Sequence, residues 1–115
     1  MPTPTLDVRF YKTEAGTEPV RDWLKGLSAF DRKTIGEDIK TVQIGWPLGM
    51  PLVRKMDGNL WEVRIRLEGR TARILFTLDE HVMVLLHGFI KKSQATPKDD
   101  LKVAISRMKK LRSES

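Results

Sequence analysis

Residues 60–76 read LWEVRIRLEGRTARILF, and this stretch limits the possible folds more than any other in the chain. Aliphatic and polar side chains alternate on both sides of Glu68-Gly69, the pattern of two strands joined by a two-residue turn. Such a turn sets Ile65 opposite Ala72, Val63 opposite Ile74 and Trp61 opposite Phe76, so that every pair on one face is apolar. The other face then carries Arg66 opposite Thr71 and Arg64 directly opposite Arg73. A slip of one residue would carry arginines into the core, so the apolar pattern selects this register.

Two like charges facing each other across a sheet are destabilising by roughly 0.2–1 kcal/mol. Two arrangements offset that cost. Glu62, diagonal to Arg73 and two residues from Arg64, can join both in an exposed ion-pair network of little energetic worth. Alternatively an external anion such as a phosphate accepts forked hydrogen bonds from the guanidinium groups.

The charge distribution bears on that choice. The net charge is +6 over 115 residues, yet residues 1–53 carry seven basic and seven acidic side chains. Residues 54–73 carry six basic against three acidic, and residues 89–115 eight against three. The positive excess therefore lies wholly in the second half, beginning at Arg54 and Lys55. A one-sided basic surface attracts polyanions, nucleic acid first among them; the plainer reading is a solvated basic helix.

Around the hairpin the spacing predicts further elements. Leu6 to Tyr11 alternates like a half-buried strand. Val20, Trp23, Leu24 and Leu27 follow a Thr17-Glu18-Pro19 helix start, and Ser28 caps a second helix with Ile35, Ile39, Val42 and Trp46 on its apolar stripe. The segment PLGMPLVRKMDGN, residues 47–59, reads as a loop or irregular edge. After the strands 60–67, 71–78 and 82–90, Thr96 as N-cap and Pro97 open a last helix with Leu101, Ala104, Ile105, Met108 and Leu111 on one face. The order βααβββα implies a single α+β domain over residues 1–115: a small antiparallel sheet of about four strands, helices on one face and the other face open.

For the third strand of the hairpin region, a three-residue loop from Asp79 to His81 sets Val82, Val84 and Leu86 against Leu78, Phe76 and Ile74, with His87 beside Arg73. A two-residue loop reverses the faces. On the first register His87, Phe89 and Lys91 project with the arginines, and an aromatic among cations is the mixture that single-stranded RNA binders use. Phe89 as a core aromatic is the alternative.

Other chemistries have little to build on. The chain has no cysteine, and His81 and His87 are its only imidazoles, so no metal or other cofactor is expected. The start MPTPTLDVRF has no apolar leader core, and the run VMVLL falls far short of the ~20 residues of a membrane span. A cytoplasmic protein without membrane association is the expectation.

The strings LWEVRI, TARILF and LLHGFIKKSQATP, followed by a helix with Ala104 and Arg107, resemble the RelE/ParE superfamily of toxins from type II toxin-antitoxin modules, and most nearly its phage-derived HigB-like branch. The resemblance runs from about Leu6 to Leu111, and HGFIKK-x4-P is its most specific part. It implies a RelE-like fold and an endoribonuclease, or mRNA interferase, that cuts mRNA on translating ribosomes and arrests growth. It also implies neutralisation by a cognate antitoxin, typically a helix-turn-helix protein, through which alone the toxin would meet operator DNA. By motif, Arg73 matches the family arginine of the second hairpin strand, Arg64 and Arg66 the basic residues of the preceding strand, and Lys91 or Lys92 the basic residue after the last strand. Arg54 and Lys55 join Arg66, Phe89 and Lys92 as the RNA-binding set. Several relatives use a tyrosine near the C-terminus, whereas the only tyrosine here is Tyr11.

In such an enzyme the neighbouring 2′-hydroxyl attacks the phosphate, and the protein supplies charge stabilisation, proton transfer and in-line positioning. Arg73 and Arg64 would stabilise the phosphorane and Lys91 would protonate the leaving 5′-oxygen. His87 or Glu62 would serve as base. A ParE-like inhibitor of DNA gyrase and a non-catalytic RNA-binding module are the two rival readings.

Overall fold

The computed structural model describes residues 6–49, 51–91 and 96–113. The elements run β1 (Asp7–Phe10), α1 (Pro19–Lys25), α2 (Ala29–Gly45), β2 (Val53–Asp57), β3 (Leu60–Leu67), β4 (Arg70–Asp79), β5 (Val82–Lys91) and α3 (Lys98–Ser113). They build a five-stranded sheet ordered β1-β5-β4-β3-β2, in which β1 runs parallel to β5 and every other pair is antiparallel. The result is an α+β fold of RelE-like type. No helix among the described residues is long and apolar enough to cross a membrane.

The β3–β4 hairpin has the register that its apolar pairs require. Ile65 faces Ala72, Val63 faces Ile74, Trp61 faces Phe76, and Arg64 faces Arg73. Gly69 takes a φ of 68° in the turn, a left-handed conformation that costs glycine little. On this face the apolar pairs pack under α1 and α2, with Ile35, Ile39 and Val42 of α2 and Val20 of α1 in one core. Ser28 accepts a hydrogen bond from the Asp31 amide at 3.1 Å and so caps α2. Asp31, itself buried, receives Arg70 Nη2 at 2.8 Å, which ties the start of α2 to the start of β4.

Beyond the parallel β1–β5 pair, which makes the sheet mixed where an antiparallel one was expected, three features depart from the expected architecture. Residues 53–57, within the segment read as a loop or irregular edge, form β2, an edge strand that pairs with β3 through a register shift and makes a fifth strand. The β4–β5 connection has two residues, Glu80 and His81, with Glu80 at a φ of 55°. Leu78 therefore faces Met83 and Phe76 faces Leu85, and a bulge at Leu86 then shifts the register so that His87 faces Leu75 and Phe89 faces Arg73. The bulge answers the adjacent aliphatics of VMVLL. Met83 and Leu85 enter the core under α1 and α2, while Val84 and Leu86 point to the opposite face.

That opposite face is not open, which is the third departure. Leu60, Leu75, Val84, Leu86 and Phe89 pack there against Ala104 and Met108 of α3, and Tyr11 joins them at 5% exposure. Helices thus cover both faces of the sheet. Gly88, beyond the bulge, lies under Trp23 of α1. A Cβ at that position would stand 2.5 Å from the indole Cε3, so only glycine permits this approach of α1 to the sheet.

Candidate functional site

Cross-strand pairing lays the charged residues of the α3-side face out in three rows. The first runs Arg54, Glu62, Leu75, His87; the second Arg64, Arg73, Phe89; the third Arg66, Thr71, Lys91. The alternation of each strand places these side chains on one face, and the register brings β2, β3, β4 and β5 together at one end of the sheet.

Glu62 is at the centre of the arrangement, with a relative exposure of 0%. One carboxylate oxygen accepts from Nη1 of Arg73, which is itself buried, and the other accepts from the Thr96 hydroxyl at 2.6 Å. Thr96 therefore turns its hydroxyl to the sheet, although its place before α3 had marked it as an N-cap. Lys91, buried as well, completes the floor of the site.

The electrostatics show how closely these groups sit. Burial pushes the Arg73 guanidinium below its usual value; Glu62 opposes that shift, while Arg64 and Arg54 add to it. Lys91 is likewise lowered, by burial first and then by Arg73, with Glu62 opposing and Arg64 and Arg54 reinforcing. Among the described residues Arg54, Arg64, Arg73 and Lys91 thus gather around the Glu62 carboxylate, an arrangement suited to a multiply charged anion. The buried Arg73 Nε has no hydrogen-bond partner among the described residues.

Seven of the expected residues are brought together: Arg54, Arg64, Arg66, Arg73, His87, Phe89 and Lys91. Lys55 is not among them. It pairs with Trp61 on the α1-α2 side and sets its ammonium 5.9 Å from the centre of that indole. Lys92 lies outside the described residues. Phe89 is 9% exposed and packs in the α3-side core, so its ring is not offered to solvent. His87 stacks on it at 5.6 Å and bonds through Nε2 to Asp100 of α3 at 2.6 Å, so the histidine faces α3 and does not stand beside Arg73.

Two contributors were less visible in the sequence. Thr96 reaches Glu62 only because α3 folds back across the sheet. Arg107 donates to the Leu86 carbonyl and sits 5.9 Å from the Tyr11 ring, a support behind the site that a helical wheel reads as solvated.

A search of curated proteins finds no match to the sequence. Residues 22–109 match the family described as phage derived protein Gp49-like (DUF891), a span that takes in the end of α1, all of α2, the strands β2–β5 and most of α3. The chain thus belongs to this Gp49-like family of phage-derived proteins, a RelE-like family associated with toxin-antitoxin modules.

Proposed function

We propose that the protein is the toxin of a type II toxin-antitoxin module, of the HigB-like branch, and that it acts as an endoribonuclease on translated mRNA. The observation that carries this reading is the set of four cations gathered around one buried carboxylate on a single sheet face. Among the described residues cations outnumber carboxylates in this cluster, and a phosphodiester would add negative charge to it.

In the proposed reaction the 2′-oxygen attacks the adjacent phosphorus and gives up its proton to a base. The bond from phosphorus to the 5′-oxygen breaks, and Lys91 donates a proton to that oxygen, leaving a 2′,3′-cyclic phosphate and a 5′-hydroxyl. A lysine lowered by burial and by neighbouring cations is a better proton donor than an ordinary one. Arg64 and Arg73 hold the phosphorane oxygens; Arg73 is reached as phosphate takes over the donor that Glu62 now occupies. Released from that pair, Glu62 is better placed than His87 to accept the 2′-proton, since His87 is engaged with Asp100. A ribosome orienting the mRNA would make modest acid-base equipment sufficient. The cognate antitoxin, a helix-turn-helix protein in this branch, neutralises the site and links it to operator DNA.

Mapping RNA 5′ ends after induction tests the reading. Wild type produces new ends within translated regions together with growth arrest, while Arg64→Ala and Arg73→Lys lose both. Growth arrest with DNA damage and intact mRNA would instead establish gyrase inhibition. RNA binding without cleavage on ribosomes would reduce the protein to a binding module.

A further inference from the structure

Beside the charged rows, Asp38 of α2 faces the β3–β4 hairpin across an open cleft of about 460 Å³, lined also by Pro51, Leu52, Arg64, Arg66 and Thr71. Arg64 belongs both to this cleft and to the cluster that acts on Arg73 and Lys91, so the cleft adjoins the cluster. The Arg64 amide is fixed by a 2.8 Å bond to the Leu52 carbonyl, which holds the cleft's basic wall against its apolar one.

Asp38 is the unexplained member. It is half-buried, and among the described residues its carboxylate has neither a hydrogen bond nor an ion pair, although two arginines line the same cleft. Burial first and Glu37 second push its carboxyl above the usual range, and no cation offsets them. The arginines therefore stand too far across the gap to satisfy it. A ligand for this space must carry negative charge at one end, a flat apolar face in the middle and hydrogen-bond donors at the other end. A nucleotide has all three.

We propose that the cleft is a nucleotide subsite in which Asp38 reads the donor edge of a guanine base, next to the phosphate held by Arg64. The proposal rests on the RNA reading above and adds a base preference to it. Guanine presents N1–H and N2–H side by side, matching the two oxygens of a carboxylate. Uracil offers one imino group between two carbonyls that repel a carboxylate, and adenine and cytosine offer one amino group beside an acceptor. Pro51 and Leu52 supply the apolar surface for the base, and Arg66 and Thr71 the polar contacts to its sugar-phosphate.

The test is fluorescence anisotropy with short labelled oligoribonucleotides that differ at one position: guanosine, inosine, which lacks the N2 amine, or uridine. Wild type binds the guanosine oligomer roughly tenfold tighter than the inosine one, as the loss of one arm of a bidentate pair requires. Asp38→Ala removes that difference and leaves the affinity for the uridine oligomer unchanged, which also shows that the variant is folded. Equal binding of guanosine and inosine by wild type overturns the subsite but leaves the endoribonuclease reading standing, as does a preference that survives in Asp38→Ala. Failure of wild type to bind any of the oligomers overturns the subsite, whereas the endoribonuclease reading falls only if induction leaves mRNA intact.

Discussion

Arg107 Nη1 donates to the Leu86 carbonyl at 2.7 Å, so a side chain of α3 takes a backbone acceptor from the one residue within β5 that has no partner in β4. The same guanidinium lies over Tyr11, which follows β1. One arginine therefore joins the last helix, the bulge of β5 and the first strand's end.

Truncating that arginine leaves the Leu86 carbonyl without its donor. Arg107→Ala should cost about 1.5–3 kcal/mol, the range for hydrogen bonds to charged groups. Urea unfolding of the purified protein measures it, and a loss below about 0.5 kcal/mol, the scatter of neutral surface changes, would mean the contact contributes nothing.

Arg73 and Glu62 are coupled through burial. Arg73→Ala removes the ion-pair partner of Glu62 and leaves Thr96 as its hydrogen-bond donor among the described residues, and removing one partner of a buried pair costs about 3–5 kcal/mol. Combining Glu62→Leu with Arg73→Met should restore most of that stability while abolishing any activity. If the double variant is no more stable than Arg73→Ala alone, the pair is not the source of the penalty. Loss of activity in Arg73 variants is therefore to be read beside their unfolding curves, whereas the half-exposed Arg64 gives a cleaner functional test.

Gly88→Ala forces a methyl to within 2.5 Å of the Trp23 ring. Overpacking of this kind costs roughly 1–3 kcal/mol, and the ring can escape only by lifting α1 from β5. Tryptophan fluorescence together with thermal unfolding reports both effects; a variant as stable as wild type would show that α1 sits further from the sheet.

Lys91 gives the fold a pH dependence of definite sign. Burial, and after it Arg73, hold its folded value below the ordinary 10.5. Between those two values the unfolded chain keeps a proton that the folded chain has released, so this residue's contribution to stability rises with pH. The stability of wild type relative to Lys91→Met should therefore increase as pH approaches the ordinary lysine value from below. A flat or falling difference in paired urea titrations would contradict the placement of Lys91 in the buried floor.

The β3–β4 hairpin was legible because two independent signals, a two-residue turn and strict alternation, agree on one register. The β5 register was not, because VMVLL breaks alternation with adjacent aliphatics and EH carries no glycine or asparagine to mark the turn. β2 stayed hidden in a segment rich in proline and glycine. The largest gap was the second covered face. Glu62, Arg73 and Lys91 read as solvent-facing because charged residues are seldom buried, yet here they neutralise one another in part beneath the start of α3. Periodicity finds which residues share a face; it does not say whether that face is wet. The site residues were legible as a set, and their burial was not.

The parallel pairing of Asp7–Phe10 with residues 82–85 closes the longest loop in the sheet, and Leu6 adds to it through mutual bonds with Gln43. β1 is thus made well before β5, the strand it pairs with. Any chain that stops short of β5 lacks a partner for β1, the bulge that Arg107 supports and Lys91 itself. Long-range pairing of this kind makes folding late and all-or-none. A chain ended before β5 consequently carries no assembled cation cluster, so under the proposed function no activity precedes the synthesis of that strand.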